Sequence, residues 1–458
     1  MNSDSKYFIK LALSKNPVFR FIIGLCLLAN AYVSYKIGRT YSFCRSLGKF
    51  EKLYESAILN GSLPLLYRFL VDVRTRFLEV SRDDISNPIL DSFLRTNRAR
   101  KIRQMYRKFG IENAVRIRYL NEDDNDREGN LLILSTPKTD GTGAIVKGVL
   151  YLQYNNSIEE FAALFDLSEL YREYVLVVEP SSWGYSDLGL ELLLSGQSNI
   201  YVMAQDKIDF DLITLLDSRI VPIRAGAGDW IDLEMLRNHY ESETKNFDVC
   251  MVASWRKLKN HKILFRELAK LGKGLRIALV GYCWEGRTAG SIRKEQYKYY
   301  PDSLVSIFEG VPHEYVFKVL SQSRVALMLS EREGANRGIY EAVASNIPVV
   351  ILSDNRGVNK QLEEIGCIFS ADRKDLRRCV EKLLKSPLTY SVKDRLFSTS
   401  GTQNTWKKIG DSLSENESIS WYGEPIIVST PNLKYRDERN KRLMDRHYKV
   451  LEDLIIVN

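Results

Sequence analysis

Six cysteines in 458 residues (Cys26, Cys44, Cys250, Cys283, Cys367, Cys379) form no C-x-x-C pair. That scatter excludes a disulfide framework and a structural zinc site, and reads as reduced core thiols. Histidine is scarcer still: His239, His261, His313 and His447 are the four, and none falls between 130 and 238. With 12 Pro and 27 Gly, low-complexity linkers are not a feature. A mean hydropathy of −0.24 excludes a multi-pass membrane protein. No G-x-S-x-G, Walker A or metal-ligand constellation appears. No G-x-G-x-x-G opens a helix after a strand, which sets aside a Rossmann oxidoreductase. What is present is 45% hydrophobic and 27% charged, a soluble globular chain long enough for two or three cores.

The formal charge of +8 is unevenly spread. Residues 1–118 carry 22 Lys/Arg against 9 Asp/Glu, so the rest of the chain is slightly acidic. Such an arm suits an anionic partner. Within it, Phe21–Tyr35 has no charge and is flanked by Lys6, Lys10, Lys15 and Arg20 before and Lys36, Arg39, Arg45 and Lys49 after. Fifteen helical residues span about 22 Å, short of a roughly 30 Å hydrocarbon core, and the symmetric flanks favour a helix lying in one leaflet interface. An ordinary buried helix, and a cleaved or spanning segment (Ala29-Asn30-Ala31 resembles a cleavage site), are the alternatives. Arg95–Lys108 holds seven basic residues and no acidic one. It lacks interleaved base-stacking aromatics, so a membrane-facing or solvated basic helix is expected and nucleic acid is not. The acidic run Glu122–Glu128 closes the arm.

From residue 130 the texture becomes α/β. Apolar runs at 130–136, 146–154, 174–178, 200–204 and 220–223 predict strands, with an amphipathic helix over 158–170. A second half predicts strands at 248–253, 275–281, 304–309, 325–330, 348–352 and 367–369. Helices fall between them at 260–271, 313–321, 337–344, 359–364 and 374–384. Two Rossmann-like doubly wound domains are expected, facing a cleft, with ligands outside the carboxyl ends of the strands. The tail has a helical pattern at 437–454.

The most specific segment is Ser330–Val350. A strand ends at Ser330; Glu333, Gly334, Ala335 and Asn336 form a loop; a helix starts near Arg337; Pro348 opens the next strand. Gly334 permits close backbone approach, and the helix N-terminus beyond it suits a diphosphate. Glu341, one turn into the helix, is placed to accept both hydroxyls of a ribose. Glu333…Glu341 in this strand–loop–helix context resembles the E-x7-E motif of GT-B retaining glycosyltransferases of the family-4 type (glycosyl transferases group 1), over about 247–386. The resemblance implies that Glu341 binds the nucleotide ribose and that Glu333 contacts the donor sugar near its reacting carbon. In the loop Ser254–His261 it implies Lys259 as the diphosphate lysine, with Arg256 or Lys257 as its partner; two cations there stabilise a leaving diphosphate. Val280-Gly281-Tyr282 resembles the family's Val-Gly-Asp/Glu turn near the nucleotide. Glu309-Gly310-Val311-Pro312-His313 resembles its segment near the base. Arg332 and Arg337 flank the motif.

The first half departs from the family pattern. Lys138–Gly143, with Gly141 and Gly143, leads into a strand rather than a helix, and the usual histidine is missing. Acceptor-side candidates are therefore Gly141, Gly143, Glu179, Trp183 and Asp229, with turn chemistry and capping as the alternative for Glu179 and Asp229. Asp209-Phe210-Asp211 is a D-x-D, the spacing that binds a metal in another glycosyltransferase fold class; here a capping role is expected.

The sequence thus predicts an α/β GT-B chain organised as 1–120 (helical basic arm), 130–240 (acceptor side), 247–390 (donor side) and 391–458 (helical tail). Its expected function is metal-independent retaining transfer of a sugar from a nucleotide-diphosphate sugar to an acceptor hydroxyl, in cell-surface polysaccharide or glycolipid synthesis. A non-catalytic GT-B-like scaffold is the alternative. Expected partners are a nucleotide sugar, a glycan or lipid-linked acceptor, and a membrane surface met by residues 1–50. No cofactor is expected, and the expected location is the cytoplasmic face of the cell membrane.

Overall fold

The computed structural model describes residues 17–61, 63–83, 87–109, 131–153, 155–180, 189–231, 244–284, 286–333, 336–358, 361–417, 442, 450–451 and 453–456. Outside them lie the acidic run Glu122–Glu128 and most of the 437–454 pattern. The chain divides into two compact units, the boundary falling between Arg224 and Ala225.

The first unit opens with helices α1 (Pro17–Lys36), α2 (Thr40–Leu53), α3 (Glu55–Leu59), α4 (Leu65–Asp83), α5 (Pro88–Leu94) and α6 (Asn97–Phe109). α1 is longer than the uncharged run alone indicates, and its 20 residues reach about 30 Å. It buries Gly24, Leu28, Ala31 and Ser34, a stripe of mostly small residues that lets it pack closely on α2. A Cβ on Gly24 would meet the Tyr54 ring at 2.6 Å. Val18, Phe19, Phe21, Ile22, Leu25 and Val33 of α1 stay exposed. On α6, Ala99 and Ile102 are buried while Arg100, Lys101, Arg107 and Lys108 face outward.

The strands of this unit are β1 (Leu131–Ser135), β2 (Lys138–Thr139), β3 (Ile145–Val146), β4 (Gly148–Gln153), β5 (Tyr174–Glu179), β6 (Ile200–Met203) and β7 (Ile220–Ile223). Their main sheet has the order β1-β4-β5-β6-β7, with β1 antiparallel and the others parallel in chain order. β2 and β3 form a separate hairpin. β4 and β5 are buried at every position, as expected of strands covered on both faces. The helical pattern at 158–170 is divided into α7 (Asn155–Leu164) and α8 (Leu167–Glu173). Asp166 causes the break, its carboxylate accepting the Ser168 and Glu169 amides. Asp209 and Asp211 lie inside α9 (Lys207–Thr214), whose N-cap is Asp206. The D-x-D is therefore not the cap: Asp211 pairs with Lys207 at 2.6 Å, and Asp209 is buried.

The helical arm is tied to this sheet through buried charge. Arg74 of α4 donates to Glu51 of α2 at 2.8 Å and lies 3.7 Å from Glu191, which follows β5; Tyr67 donates to Glu51 at 2.9 Å. Burial raises the Glu191 carboxyl above its ordinary range, opposed by Arg74. Asn87 caps α5 and donates to the carbonyls of Glu191 and Leu194.

The second unit contains β8 (Phe247–Val252), α10 (His261–Leu268), β9 (Arg276–Gly281), α11 (Ala289–Tyr299), β10 (Leu304–Glu309), α12 (His313–Ser321), β11 (Ser323–Met328), α13 (Arg337–Ala344), β12 (Val349–Leu352), α14 (Gln361–Glu364), β13 (Ile368–Ala371), α15 (Leu376–Lys385), α16 (Val392–Thr399) and α17 (Thr402–Glu417), which runs past the unit's end at Leu413. Its six strands are all parallel in the order β10-β9-β8-β11-β12-β13, the doubly wound order that reverses between β8 and β11. Alternate residues of β8 and β9 enter two different cores. Cys250, Ala278 and Val280 pack with Phe317, Leu320, Ile339 and Val343 of α12 and α13. Val249, Met251, Ile277 and Leu279 pack with Leu264, Phe265, Ile292 and Val380 of α10, α11 and α15.

Candidate functional site

A pocket of about 390 Å³ lies at the carboxyl ends of β8, β9, β10 and β11, around the strand-order reversal. Doubly wound sheets bind their ligands there because the crossovers diverge at that point. Its wall includes Ser254 after β8, Gly281 at the end of β9 and Tyr282 after it, Gly310 and Val311 after β10, and Glu333, Asn336, Arg337, Gly338 and Glu341 beyond β11. Lys259 and His313 complete the polar lining.

Gly281 is demanded by a close approach. A Cβ there would stand 2.1 Å from the Ala253 carbonyl oxygen and 2.8 Å from the Trp255 ring. Its absence lets the chain leaving β8 cross the end of β9. Trp255 is fully buried and held on both sides, its indole donating to Glu309 at 2.6 Å while its carbonyl accepts from Arg287 at 2.7 Å. The next residues form a 3-10 turn, Lys257–Lys259, closed by Asn260 in the left-handed region (φ 60°). Asn260 donates its amide to the Leu329 carbonyl at 2.7 Å, fastening this loop to the end of β11.

That fastening brings Lys259 to Glu333. The ammonium donates to Oε1 at 2.6 Å and to Oε2 at 2.8 Å, and the Ser330 hydroxyl also donates to Oε1. Ser330 is fully buried, and its carbonyl accepts from Asn355 at 2.5 Å. The backbone beside Glu333 is pinned as well, because its amide donates to the Arg356 carbonyl and the Arg356 amide to Glu331. Glu333 is thus a nearly buried, oriented hydrogen-bond acceptor. Arg256 lies with its guanidinium 4.3 Å from the Trp284 ring centroid, and Lys257 is exposed on the turn; neither is part of the pocket wall.

The α13 N-terminus closes the opposite side. Asn336 caps it, its side chain accepting from Gly338 N at 2.8 Å and its amide reaching the Met328 sulfur at 2.7 Å. Glu341 follows Gly338 by three residues and Arg337 by four, which brings it to their side of the helix, and all three line the pocket. A helix N-terminus carries a partial positive charge and unsatisfied amides, so this end suits an anion. Glu341 is nearly buried, with Oε1 2.9 Å from His313 Nε2. Directly behind Lys259 sits His261, buried against Trp255 with ring centroids 5.4 Å apart. Burial first, and then the Arg287 and Lys259 charges, push its pKa down to about 3, so the imidazole is neutral.

Of the residues read from sequence, Glu333, Glu341, Lys259, Asn336, Arg337, Gly281 and Val311 meet at this one pocket. Gly334, Ala335 and Trp183 lie outside the described residues. The described acceptor-side candidates do not line this pocket. Gly141 and Gly143 are exposed in the β2–β3 hairpin, where Asp140 accepts from the Thr142 and Ala144 amides and Gly143 has φ 86°. Glu179 ends β5, nearly buried, and accepts from the Tyr151 hydroxyl. Asp229 is fully buried in the second unit, accepting from Gly226 N at 2.9 Å to close a turn, with Lys408 3.6 Å away. Ser254, Tyr282, Ser330 and His313 fall in segments that the sequence singles out, but without roles of their own; Asn355 and the His313–Glu341 bond had no signal.

Residues 233–396 match the family described as glycosyl transferases group 1. No curated protein matches the chain. Among solved structures, the chain is similar to HepE of Anabaena in complex with UDP and glucose (13% identity, TM-score 0.44, 57% of this chain and 77% of that one). It is also similar to the sucrose-phosphate synthase of Thermosynechococcus elongatus (14%, 0.44, 59% and 74%). A third is the Candida albicans trehalose-6-phosphate phosphatase N-terminal domain (13%, 0.44, 58% and 70%). The segment 233–396 that matches glycosyl transferases group 1 lies within the all-parallel, doubly wound unit that carries the pocket, preceded in the chain by the helical arm and the first α/β unit.

Proposed function

We propose that this protein is a retaining glycosyltransferase that moves a sugar from a nucleotide-diphosphate sugar to an acceptor hydroxyl. One observation carries the reading: Glu333, Glu341, Lys259 and the α13 N-terminus line a single pocket at the strand-order reversal of the unit that matches the family. In this reading the ribose lies at Glu341, the diphosphate between Lys259 and the α13 amides, and the donor sugar beside Glu333. The bond between the anomeric carbon and the phosphate oxygen breaks, and the diphosphate leaves with the electron pair. Lys259, Arg337 and the helix end stabilise the charge that develops. The acceptor hydroxyl attacks from the face the diphosphate leaves, its proton passing to the departing phosphate oxygen. Glu333 is already engaged by Lys259 and Ser330, which suits an acceptor of donor-sugar hydroxyls better than a free nucleophile. The diphosphate charge is met by protein groups, so turnover in excess EDTA is expected to match turnover without it.

The test is nucleotide release from a panel of nucleotide sugars, comparing wild type with Glu341→Ala. Turnover of one donor that falls by two orders of magnitude or more in the variant supports the proposal. Absence of binding and turnover with every donor refutes it.

The same reading places the enzyme on the cytoplasmic face of the cell membrane, acting on a glycan or lipid-linked acceptor in surface polysaccharide or glycolipid synthesis. Its support is α1, which packs on α2 through one face and leaves Phe19, Phe21, Ile22, Leu25 and Val33 exposed, with Arg20 and Lys36 near its ends. Such a helix suits the headgroup–acyl boundary; by length and composition alone it is also sufficient to cross a bilayer. Flotation with anionic vesicles is expected to carry wild type, and Phe21→Ser/Leu25→Ser less of it. Equal flotation of both contradicts the membrane role of α1.

A further inference from the structure

The exposed apolar surface of α1 continues onto a second helix. Tyr35, near the end of α1, packs against Phe69 of α4 with ring centroids 6.1 Å apart, and the Lys36 ammonium lies 5.6 Å from both the Tyr32 and the Tyr35 ring. Phe69 is exposed, and so are Leu65 and Leu66, four and three residues before it on the same side of α4. A single exposed leucine is ordinary; leucines joined through these rings to the apolar face of α1 form an interaction surface. Charge around it has one sign. Residues 17–50 hold five Lys/Arg and no Asp/Glu, and residues 56–71 hold Arg68 and no Asp/Glu, the first carboxylate of α4 being Asp72, one turn beyond Phe69. Lys36, Arg39, Lys49 and Arg68 are exposed. An apolar face rimmed by cations matches the acyl chains and headgroups of an anionic leaflet. A second copy of the chain would set these cations against one another.

The orientation of α1 follows from what covers its other face. It runs antiparallel to α2 along its length: Arg20 donates to the Leu53 carbonyl, the Tyr54 hydroxyl to the Arg20 carbonyl at 3.0 Å, and Asn30 to the Ser46 hydroxyl at 2.6 Å. α2 is held in turn by the Glu51–Arg74 pair and by Tyr41, whose hydroxyl donates to Glu159 of α7 at 2.7 Å. If α1 crossed a bilayer in this packing, Arg45, Lys49 and Lys52 of α2 would enter the hydrocarbon beside it, where charged side chains are strongly disfavoured. We infer that the membrane-binding face is built from two helices, α1 and the first turn of α4, and that it docks on one leaflet of an anionic bilayer with α1 lying along the surface. The inference rests on the membrane reading above and deepens it, by adding α4 and by fixing the orientation of α1.

The experiment is flotation of the full chain with phosphatidylcholine–phosphatidylglycerol vesicles and with phosphatidylcholine vesicles. Wild type is expected to float with the anionic vesicles and much less with the neutral ones. Leu65→Ser/Leu66→Ser, with α1 intact, is expected to partition about tenfold or more weakly, and Leu65→Met/Leu66→Met as wild type does. Melting temperatures and the methionine variant separate lost contact from lost folding. For orientation, Pro17→Cys and Arg39→Cys, each in a chain with Cys26, Cys283 and Cys379 replaced by alanine, are bound to preformed vesicles and treated from outside with a membrane-impermeant maleimide. Labelling at both positions is expected. An end that is labelled only after detergent overturns the surface dock, because α1 then crosses. Wild-type flotation by the serine variant overturns the role of α4, and equal flotation with neutral vesicles overturns the anionic preference. A free chain that sediments as a dimer, dissociated by the same serines, overturns the bilayer as the occupant. Failure of wild type to float with either vesicle overturns the membrane reading itself, and this inference with it.

Discussion

Removing the Lys259 ammonium isolates a charge. The Lys259 and Glu333 side chains are 14% and 8% exposed, and the lysine donates to both carboxylate oxygens. In Lys259→Ala the carboxylate keeps one side-chain donor among the described residues, Ser330, in a largely desolvated position. Breaking a fully buried pair from one side costs about 3–5 kcal/mol. This pair lines a pocket and keeps some solvent, so the lower end, about 3 kcal/mol, applies. In a unit of this size each kcal/mol lowers the midpoint by about 2–4 °C, giving a drop of about 6–12 °C. The double variant Lys259→Met/Glu333→Gln removes both charges while leaving Ser330 a partner, and is expected to recover most of that loss. Both variants are expected to lose nucleotide release by about 10²-fold or more, since the diphosphate loses its cation. Thermal melts of the three proteins decide the matter. A Lys259→Ala midpoint within 2 °C of wild type, or a double variant no more stable than the single, refutes the reasoning.

Gly281→Ala puts a methyl 2.1 Å from the Ala253 carbonyl, a backbone atom that does not yield cheaply. Its expected effects are a destabilisation of about 1–3 kcal/mol in urea unfolding and weakened nucleotide binding; wild-type values for both contradict the close-approach argument. His261 has a folded pKa near 3 against 6.5 unfolded, so the unfolded state binds the extra proton between those values. Its neutral burial therefore favours folding fully above pH 6.5, and that contribution is lost as pH falls towards 3. At about 1.4 kcal/mol per pH unit, the loss at pH 5 is about 2 kcal/mol. Wild type is expected to lose that much more than His261→Phe between pH 7 and pH 5, and equal losses contradict it.

The second sheet was readable in sequence because a parallel sheet covered on both faces writes its strands as continuous apolar runs, as at Arg276–Gly281 and Val349–Leu352. α11 left no comparable signal: its inward face is Ile292 and Gln296, too little to set a period. The E-x7-E pair was legible because strand, loop and helix are consecutive, and the helix itself brings Glu341 round to the pocket. His313 reaches Glu341 from another helix, and Asn355 reaches Ser330 from beyond β12, so only the fold joins them. The arm's positive charge was plain, but its attachment was not. Glu51, Arg74 and Glu191 are ordinary surface residue types, and nothing local shows that they pair in the interior. Glu179 ends a strand and Asp229 follows one, where ligand contacts are sought, yet Tyr151 and the Gly226 amide already hold their carboxylates.

The central claim is that the pocket at the ends of β8, β9, β10 and β11 holds a nucleoside diphosphate. A crystal structure of the full chain with the nucleoside diphosphate that binds it best tests this directly. The account predicts phosphate oxygens within hydrogen-bond distance of Lys259 Nζ and the α13 amides, and a ribose hydroxyl on Glu341. A nucleotide bound away from Lys259 and Glu341, or a pocket left empty at saturating nucleotide, contradicts it.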